Sequence, residues 1–497
     1  MKKTIAVFLS IVFFAQSLIA SISVTPYGAA EIVSGSSFLI STDRFSAIVD
    51  CGSFMEEEQF FYNKNFEMTQ ELINAQALIL THIHSDHLNK TPLLFAEGFR
   101  GKVYSTKTTK DLALRFFREG RGFEYIKRKY FWDEGKTALH WRKEHSKAIA
   151  RLKTTQDPKT IGELSGTYKK SFYLCRTCLR YEVGDIEKHF EVLSYNKKEK
   201  LFNNFYITLV DAKHIPGSAS VLFEIDGKKI LFSGDLGSGF SKLIGQAQAA
   251  PKADYIFMET TNGAENFLDM SGFESFHKDL SKAVSDGKTV WIPALSFDRT
   301  QKVLYELKIM QDDGELSKDI PIYSISPSAN KINELYQQEA GAGRGNWFVK
   351  EVYKKGGVLP KNLSLKAPKV LGNIILLSSS GDMDMGTSAT IAERLVGRAD
   401  VFIMIVNYVS PNSLAGQLLD ENNEKYKDAK VDIKQYHIFS AHPDLNGILK
   451  WLSKQNKNVH IYLIHGQKDD IEKVKDTLQK RGQTNINIAE MGKRIEI

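Results

Sequence analysis

The segment Thr81-His82-Ile83-His84-Ser85-Asp86-His87 places four potential metal ligands within six positions, directly behind the apolar run Ala75–Leu80. Side chains of an extended chain alternate sides, so His82 and His84 point the same way and both can reach one cation. As the chain then turns, Asp86 and His87 can face a second cation beside the first. Imidazoles mixed with carboxylate favour zinc, with manganese or iron(II) also suited to such a set. A lone H-x-H would say little. The full H-x-H-x-D-H behind a buried strand is specific.

Two cations need more ligands, and three further candidates stand at strand ends. His214 follows the strand-like Ile207–Asp211, Asp235 follows Ile230–Ser233, and His465 follows Val459–Ile464. One histidine in a loop is usually a satisfied polar residue. Their shared placement at the ends of apolar strands is the signal, because rigid strand ends are where a layered fold assembles sites.

The elements that must position these residues are legible in outline. Short strand-like runs with Gly and Ser turns fill Ile22–Asp50. Residues from about Gly101 to Phe205 are rich in Lys and Arg, with IKRK at Ile126–Lys129 the densest patch, and read as a basic, helical insertion with few strands. Strands resume at Tyr206–Asp211, Val221–Ile225 and Lys229–Gly234. From about Ser271 to Val431 strands alternate with helices, as in Thr289–Pro293 followed by Arg299–Met310, and Asn373–Ser378 followed by Thr387–Val396. Beyond Ile433 the order is strand, helix, strand. There is no internal repeat and no low-complexity tract.

Composition adds bounds. With 497 residues, 42% hydrophobic and 25% charged, the chain is globular and long enough for more than one core. A net charge of +7 permits a polyanionic partner without demanding one. Three cysteines make no disulfide framework. Cys175 and Cys178 form a C-x-x-C that fits a local disulfide, two unlinked thiols, or a small zinc site with His140 and His145; Cys51 stands alone. Met1–Ser23 has the form of an export signal: Lys2 and Lys3, the apolar Ile5–Phe14, then small residues Ser17, Ala20, Ser21 and Ser23. A periplasmic or secreted protein with no stable membrane span after cleavage is therefore expected, a retained anchor being the alternative.

The motif set resembles the β-CASP branch of the metallo-β-lactamase superfamily, which includes ribonuclease J and the pre-mRNA 3′-end endonuclease. The resemblance covers nearly all of the mature chain. It rests on VDCG (Val49–Gly52), THIHSDH (Thr81–His87), DAKHIPGSAS (Asp211–Ser220), SGDLG (Ser233–Gly237), MET (Met258–Thr260), IPALSFDRTQ (Ile292–Gln301), FSAHPD (Phe439–Asp444) and IHG (Ile464–Gly466). It implies an α/β fold, a four-layer αββα metallo-β-lactamase sandwich with an inserted α/β β-CASP cap domain. The corresponding division is a signal peptide at 1–23, a first part of the sandwich at 24–265 containing the basic insertion 101–205, a cap at 266–432, and a segment completing the sandwich at 433–497.

The resemblance also implies roles. His82, His84 and His214 would hold one zinc, Asp86, His87 and His465 the other, and Asp235 would bridge them, giving two Zn²⁺ per chain. Asp50 would orient a ligand histidine from behind. Glu259 would pair with His442, the general acid at the leaving group, while Asp86 and Asp235 belong to the catalytic set through the metals. Ser380, Gly381 and Arg299 are the expected substrate contacts. Two metals about 3.5–4 Å apart can activate water to hydroxide near neutral pH and clamp a phosphodiester. Three functions fit: a nuclease for single-stranded RNA, a secreted hydrolase of another phosphodiester or an ester, and an inactive binding scaffold, which the complete ligand set disfavours.

The chain departs from the family pattern in one region. The glycine-rich S-G-M-x-x-G-G loop reads Ser380-Gly381-Asp382-Met383-Asp384-Met385-Gly386, Gly416 precedes Gln417 instead of Arg, and the family's H-G-E reads His465-Gly466-Gln467. Two added carboxylates and one lost cation would weaken a grip on phosphate.

Overall fold

The computed structural model describes residues 21–56, 58–123, 183–239, 241–264, 271–342, 348–355, 357–423 and 432–497, with isolated positions between 147 and 160 and residue 266. The export segment through residue 20, IKRK, His140, His145, Cys175 and Cys178 lie outside the described residues. Among the described residues, no helix is long and apolar enough to cross a membrane.

Among the described residues, two seven-stranded sheets carry the ligand motifs. The first contains β1 (Ser23–Pro26), β2 (Phe38–Ser41), β3 (Ser46–Val49), β4 (Ala77–Ile79), β5 (Lys102–Ser105) and β6 (Phe190–Val192) in chain order. The second contains β7 (Lys198–Phe202), β8 (Phe205–Asp211), β9 (Ala219–Ile225), β10 (Lys228–Phe232) and β11 (Tyr255–Glu259). Each begins as an antiparallel meander and continues parallel, from β3 to β6 and from β10 onward.

Alternation along these strands builds the layers. Val24, Phe38, Ile40, Ala47, Val49 and Ile79 of the first sheet meet Ile207, Val221, Phe223, Ile230, Phe232 and Phe257 of the second. Phe232 and Phe257 stack with centroids 4.7 Å apart. Residues of opposite parity face outward. Leu39, Ile48, Leu78 and Val103 pack under helices Thr91–Ala96 and Lys107–Arg118, while Leu222, Leu231, Ile256 and Met258 pack under helices Leu445–Trp451 and Lys468–Lys480. The result is the four-layer αββα sandwich.

Between these halves of the sandwich the chain forms a six-stranded parallel sheet. Its strands are β12 (Thr289–Pro293), β13 (Ile322–Ser324), β14 (Leu363–Ser364), β15 (Ile374–Ser378), β16 (Val401–Ile405) and β17 (Asp432–Gln435), in the spatial order β14-β13-β15-β12-β16-β17. The three central strands are buried at every position, as a sheet covered on both faces requires. Helices Ser271–Ser285 and Arg299–Asp312 cover one face, and helices Gly386–Leu395 and Leu414–Leu419 the other. The chain then returns to the sandwich: β18 (His460–Ile464) inserts beside β11, β19 (Ile486–Ile488) follows it, and β20 (Ile495–Glu496) pairs with β1 in the first sheet.

One feature differs from the sequence expectation, and a second goes beyond it. The span 101–205 contributes β5, β6, β7 and helix Lys107–Arg118 to the sandwich. In β7 Lys198 and Lys200 are exposed while Leu201, of opposite parity, packs inward, so a charged run is compatible with a sheet strand. Helix Arg299–Asp312 is buried from Thr300 through Gln311, charged residues included. Lys302 pairs with Asp298 at 2.6 Å, and Glu306 takes both Lys242 at 2.6 Å and His277 at 2.7 Å. Paired ions satisfy the rule that buried charge must be compensated.

Candidate metal centre

Asp50 follows β3, His82 follows β4, His214 follows β8, Asp235 follows β10, Glu259 ends β11 and His465 follows β18. These strands open on one edge of the sandwich, and glycines let their loops close upon one another. A Cβ on Gly52 would lie 1.5 Å from the carbonyl oxygen of Asp86, and one on Gly237 would lie 2.0 Å from that of Lys213. Thus the loop behind Asp50 touches the Asp86–His87 backbone, and the Asp235 loop touches the His214 loop.

The donor atoms form two groups that share one carboxylate. In the first, His82 Nε2 lies 3.1 Å and His214 Nε2 3.0 Å from His84 Nδ1, and both Nε2 atoms lie 3.4 Å from Asp235 Oδ2. In the second, His87 Nε2 lies 3.0 Å from His465 Nε2, at 3.1 and 3.4 Å respectively from Asp235 Oδ1, with Asp86 Oδ2 3.4 Å from His465 Nε2. Ligands about 2.0–2.1 Å from a tetrahedral zinc stand roughly 3.3–3.4 Å apart, close to the 3.0–3.4 Å separations in both groups. Imidazole lone pairs so close, with Asp235 Oδ1 buried and without a hydrogen-bond donor, are groups a cation satisfies. The residues fit two divalent metals.

Each imidazole is aimed by what its other nitrogen meets. His87 Nδ1 donates to Asp50 Oδ2 at 2.7 Å, and Asp50 also accepts from the Thr81 N–H and hydroxyl, both at 2.8 Å. His214 Nδ1 donates to the Ala441 carbonyl at 3.2 Å, and His465 Nδ1 meets Thr261 Oγ1 at 2.8 Å. His82 Nδ1 meets Thr81 Oγ1 at 3.0 Å. Such contacts leave Nε2 free for metal on four of the five histidines. Burial lowers His82 to about 3 and His214 well below the usual histidine value, so both stay neutral and ready to ligate. Around His87 burial opposes protonation, but Asp235, Asp50 and Asp86 outweigh it and hold that ring well above its usual value. Three carboxylates make the second group negative, which favours a cation.

His442 arrives from the cap side, after β17. Its Nδ1 lies 2.9 Å from Glu259 Oε2, and its Nε2 faces the centre, 3.8 Å from Asp235 Oδ2. Glu259 is fixed by the Leu236 N–H at 2.7 Å. Burial works against the imidazolium, yet Glu259 and Asp235 raise His442 to about 8. The pair has the form of a proton donor held beside the metals.

Arg299, Ser380 and Gly381 share the C-terminal edge of the cap sheet. The Arg299 guanidinium donates to the Val406 carbonyl, and burial lowers its pKa to about 10. Ser380 Oγ is buried without a partner, and Gly381 packs against Asn407. Asp382 and Asp384 accept from the N–H groups of Ser410 at 3.0 Å and Leu414 at 2.9 Å. Those carboxylates tie their loop to the neighbouring 410–414 loop rather than standing free, which the sequence alone did not reveal. The cap meets the first metal group through Phe297, whose ring centroid lies 6.1 Å from that of His84. Thr81, Thr261, Gly52 and Phe297 were missed as contributors. Gly52, in VDCG, Thr81, at the head of the cluster, and Phe297, in IPALSFDRTQ, lie in motifs already singled out, whereas Thr261 lies in none.

Fold and site together define a metal-dependent hydrolase. Family profiles match in three consecutive stretches: the metallo-beta-lactamase superfamily over 31–148, the Beta-Casp domain over 300–418, and a Zn-dependent metallo-hydrolase RNA specificity domain over 428–489. A ribonuclease of Thermus thermophilus is 23% identical over 95% of this chain and 100% of its own. The cleavage and polyadenylation specificity factor 73 of Drosophila melanogaster is 22% identical over 94% of this chain and 63% of its own, and an RNase J-like protein of Methanocaldococcus jannaschii 25% identical over 61% and 73%. A crystal structure of a protein of unknown function from Enterococcus faecalis shares the fold, with a TM-score of 0.52 and 11% identity over 96% of this chain and 100% of that one. The chain belongs to the β-CASP family of the metallo-β-lactamase superfamily.

Proposed function

We propose that this protein is a zinc-dependent ribonuclease that cleaves single-stranded RNA with two metals per chain. The observation that carries the reading is the His442–Glu259 pair set 3.8 Å from a carboxylate shared by two donor groups. Relatives named as ribonucleases agree with it. His82, His84, His214 and Asp235 would hold one cation, and Asp86, His87, His465 and Asp235 the other. Bound there, the metals would supply Lewis-acid stabilisation of a phosphodiester and water activated near neutral pH. Asp50, Thr81, Thr261 and the Ala441 carbonyl keep the ligand rings oriented. His442 Nε2 would deliver the proton that the departing oxygen needs, and Glu259 keeps that ring charged until then.

We further propose export through Met1–Ser23, with the division into sandwich, cap and closing segment given above. Export favours a second reading, hydrolysis of a non-nucleic-acid phosphodiester outside the cytoplasm. Metal analysis of the purified protein, with cleavage of end-labelled RNA and of a small chromogenic phosphodiester, separates the two. About two zinc ions per chain with RNA cleavage supports the nuclease. Turnover of the small ester alone rejects it.

A further inference from the structure

Exposed large apolar side chains scattered singly over a surface need no explanation, because most protein surface is apolar anyway. Three of them here are not scattered. Leu295, 49% exposed, follows β12; Met385, 69% exposed, follows β15; Tyr408, 81% exposed, follows β16. These strands are neighbours in the cap sheet, in the order β15-β12-β16, and all run parallel. The three side chains therefore crown adjacent loops on one edge.

Backbone contacts tie the loops together. Asn407, next to Tyr408, is buried; its Oδ1 accepts from the Leu295 N–H at 3.2 Å and its Nδ2 donates to the Pro293 carbonyl at 2.9 Å. A Cβ on Gly381 would touch Asn407 Nδ2 at 2.4 Å, and the Ser380 N–H donates to the Met385 carbonyl at 3.1 Å. Val409, directly after Tyr408, is buried, and the Ser410 N–H is held by Asp382. A tyrosine this exposed on a loop this well anchored is presented, not merely loose. The edge also borders the metal centre. Leu295 is two residues from Phe297, whose ring packs against His84.

We propose that Tyr408, flanked by Leu295 and Met385, is a stacking platform for an unpaired nucleobase of the substrate strand, placed within a few nucleotides of the scissile phosphate. The proposal rests on the ribonuclease reading and adds how the strand is held. Aromatic faces accept any base and give grip without sequence readout. A platform of this kind complements an edge whose Asp382 and Asp384 offer phosphate no positive charge and whose Arg299 is already turned to a backbone carbonyl. It also favours single strands over duplex, because a paired base shows its faces only to its neighbours.

The test walks one abasic ribose through a single-stranded RNA of fixed length and measures KM for the zinc-loaded protein. In the wild type, one position near the cleavage site should raise KM about tenfold, the scale of one base stacked on an aromatic ring. In Tyr408→Ala an intact strand should bind about tenfold more weakly, and abasic substitution at that position should have no further effect. Tyr408→Trp should restore the wild-type profile. Equal melting temperatures for the three proteins show that each is folded. If RNA is cleaved but no abasic position is special, or the special position persists in Tyr408→Ala, the platform is wrong and the patch serves a protein partner instead. If no RNA is cleaved at all, the ribonuclease reading fails and the platform falls with it.

Discussion

The sandwich and the cap each present polar residues at the C-terminal ends of parallel strands, yet they use them oppositely. At the sandwich edge, donor atoms face one another: His87 Nε2 and His465 Nε2 stand 3.0 Å apart, with Asp235 Oδ1 3.1 and 3.4 Å from them. At the cap edge they consume one another. Asn407 serves two backbone groups, Asp382 and Asp384 serve two more, and Arg299 is spent on a carbonyl. Position at a strand end is therefore not what makes a site. What distinguishes the two edges is how many ligand atoms are left over, the Ser380 hydroxyl in the cap against a cluster of imidazole nitrogens and Asp235 Oδ1 in the sandwich, since buried polar groups without partners are costly unless a ligand completes them.

That contrast fixes what substitutions should do. Asp235→Asn should have the largest effect, removing both metals and all hydrolysis, because one carboxylate oxygen points to each donor group. Elemental analysis and a turnover assay read it directly, and full zinc retention would break the two-metal assignment. His442→Ala should keep the metals and slow turnover by roughly 10²–10⁴-fold, the scale of general-acid catalysis.

Glu259→Gln sharpens the same point through pH. The acid must be protonated, so rate falls as pH rises through the His442 pKa, at about 8 or lower once cations sit beside it. Without the Glu259 charge that pKa drops, and the alkaline limb of the pH–rate profile should move to lower pH. A limb that stays put would assign it to another group.

Asp50→Ala frees the His87 ring and the Thr81 backbone, and metal affinity should fall about 10–100-fold in competition with a chelator. In the cap the costs should be structural. Asn407→Ala leaves the Leu295 N–H and the Pro293 carbonyl short of a partner and should destabilise the cap by about 1–3 kcal/mol without changing zinc content. The smallest effect is expected from Asp382→Met with Asp384→Gly. Lighter charge favours RNA while the loosened 410–414 loop opposes it, so affinity should change by less than about tenfold, with a steeper salt dependence.

Legibility followed the same divide. The ligand set could be read because H-x-H-x-D-H and the strand-end residues are chemically unusual wherever they occur, and the structure brings all seven together. The alternation of strands and helices after Ser271 gave the cap, with Asn373–Ser378 matching β15 to one residue. Helix Arg299–Asp312 was seen, but its burial was not, because Lys302, Glu306 and Lys308 look solvated until their partners are placed. β7 was hidden by the same bias against charge. Thr261 and the Ala441 carbonyl could not be assigned their contacts: these span 204 and 227 residues to His465 and His214, and although Ala441 lies in FSAHPD, nothing local marks its carbonyl or Thr261 as a partner.

The strand β18 lies between β11 and β19, and it delivers His465 to His87 across 378 positions of sequence. Until the ribosome has made it, β11 has an unpaired edge and the second donor group lacks an imidazole. A chain released early, or clipped within the cap, would therefore be both aggregation-prone and chemically silent. The hydrolytic centre is in this way withheld from use until the last strands are in place.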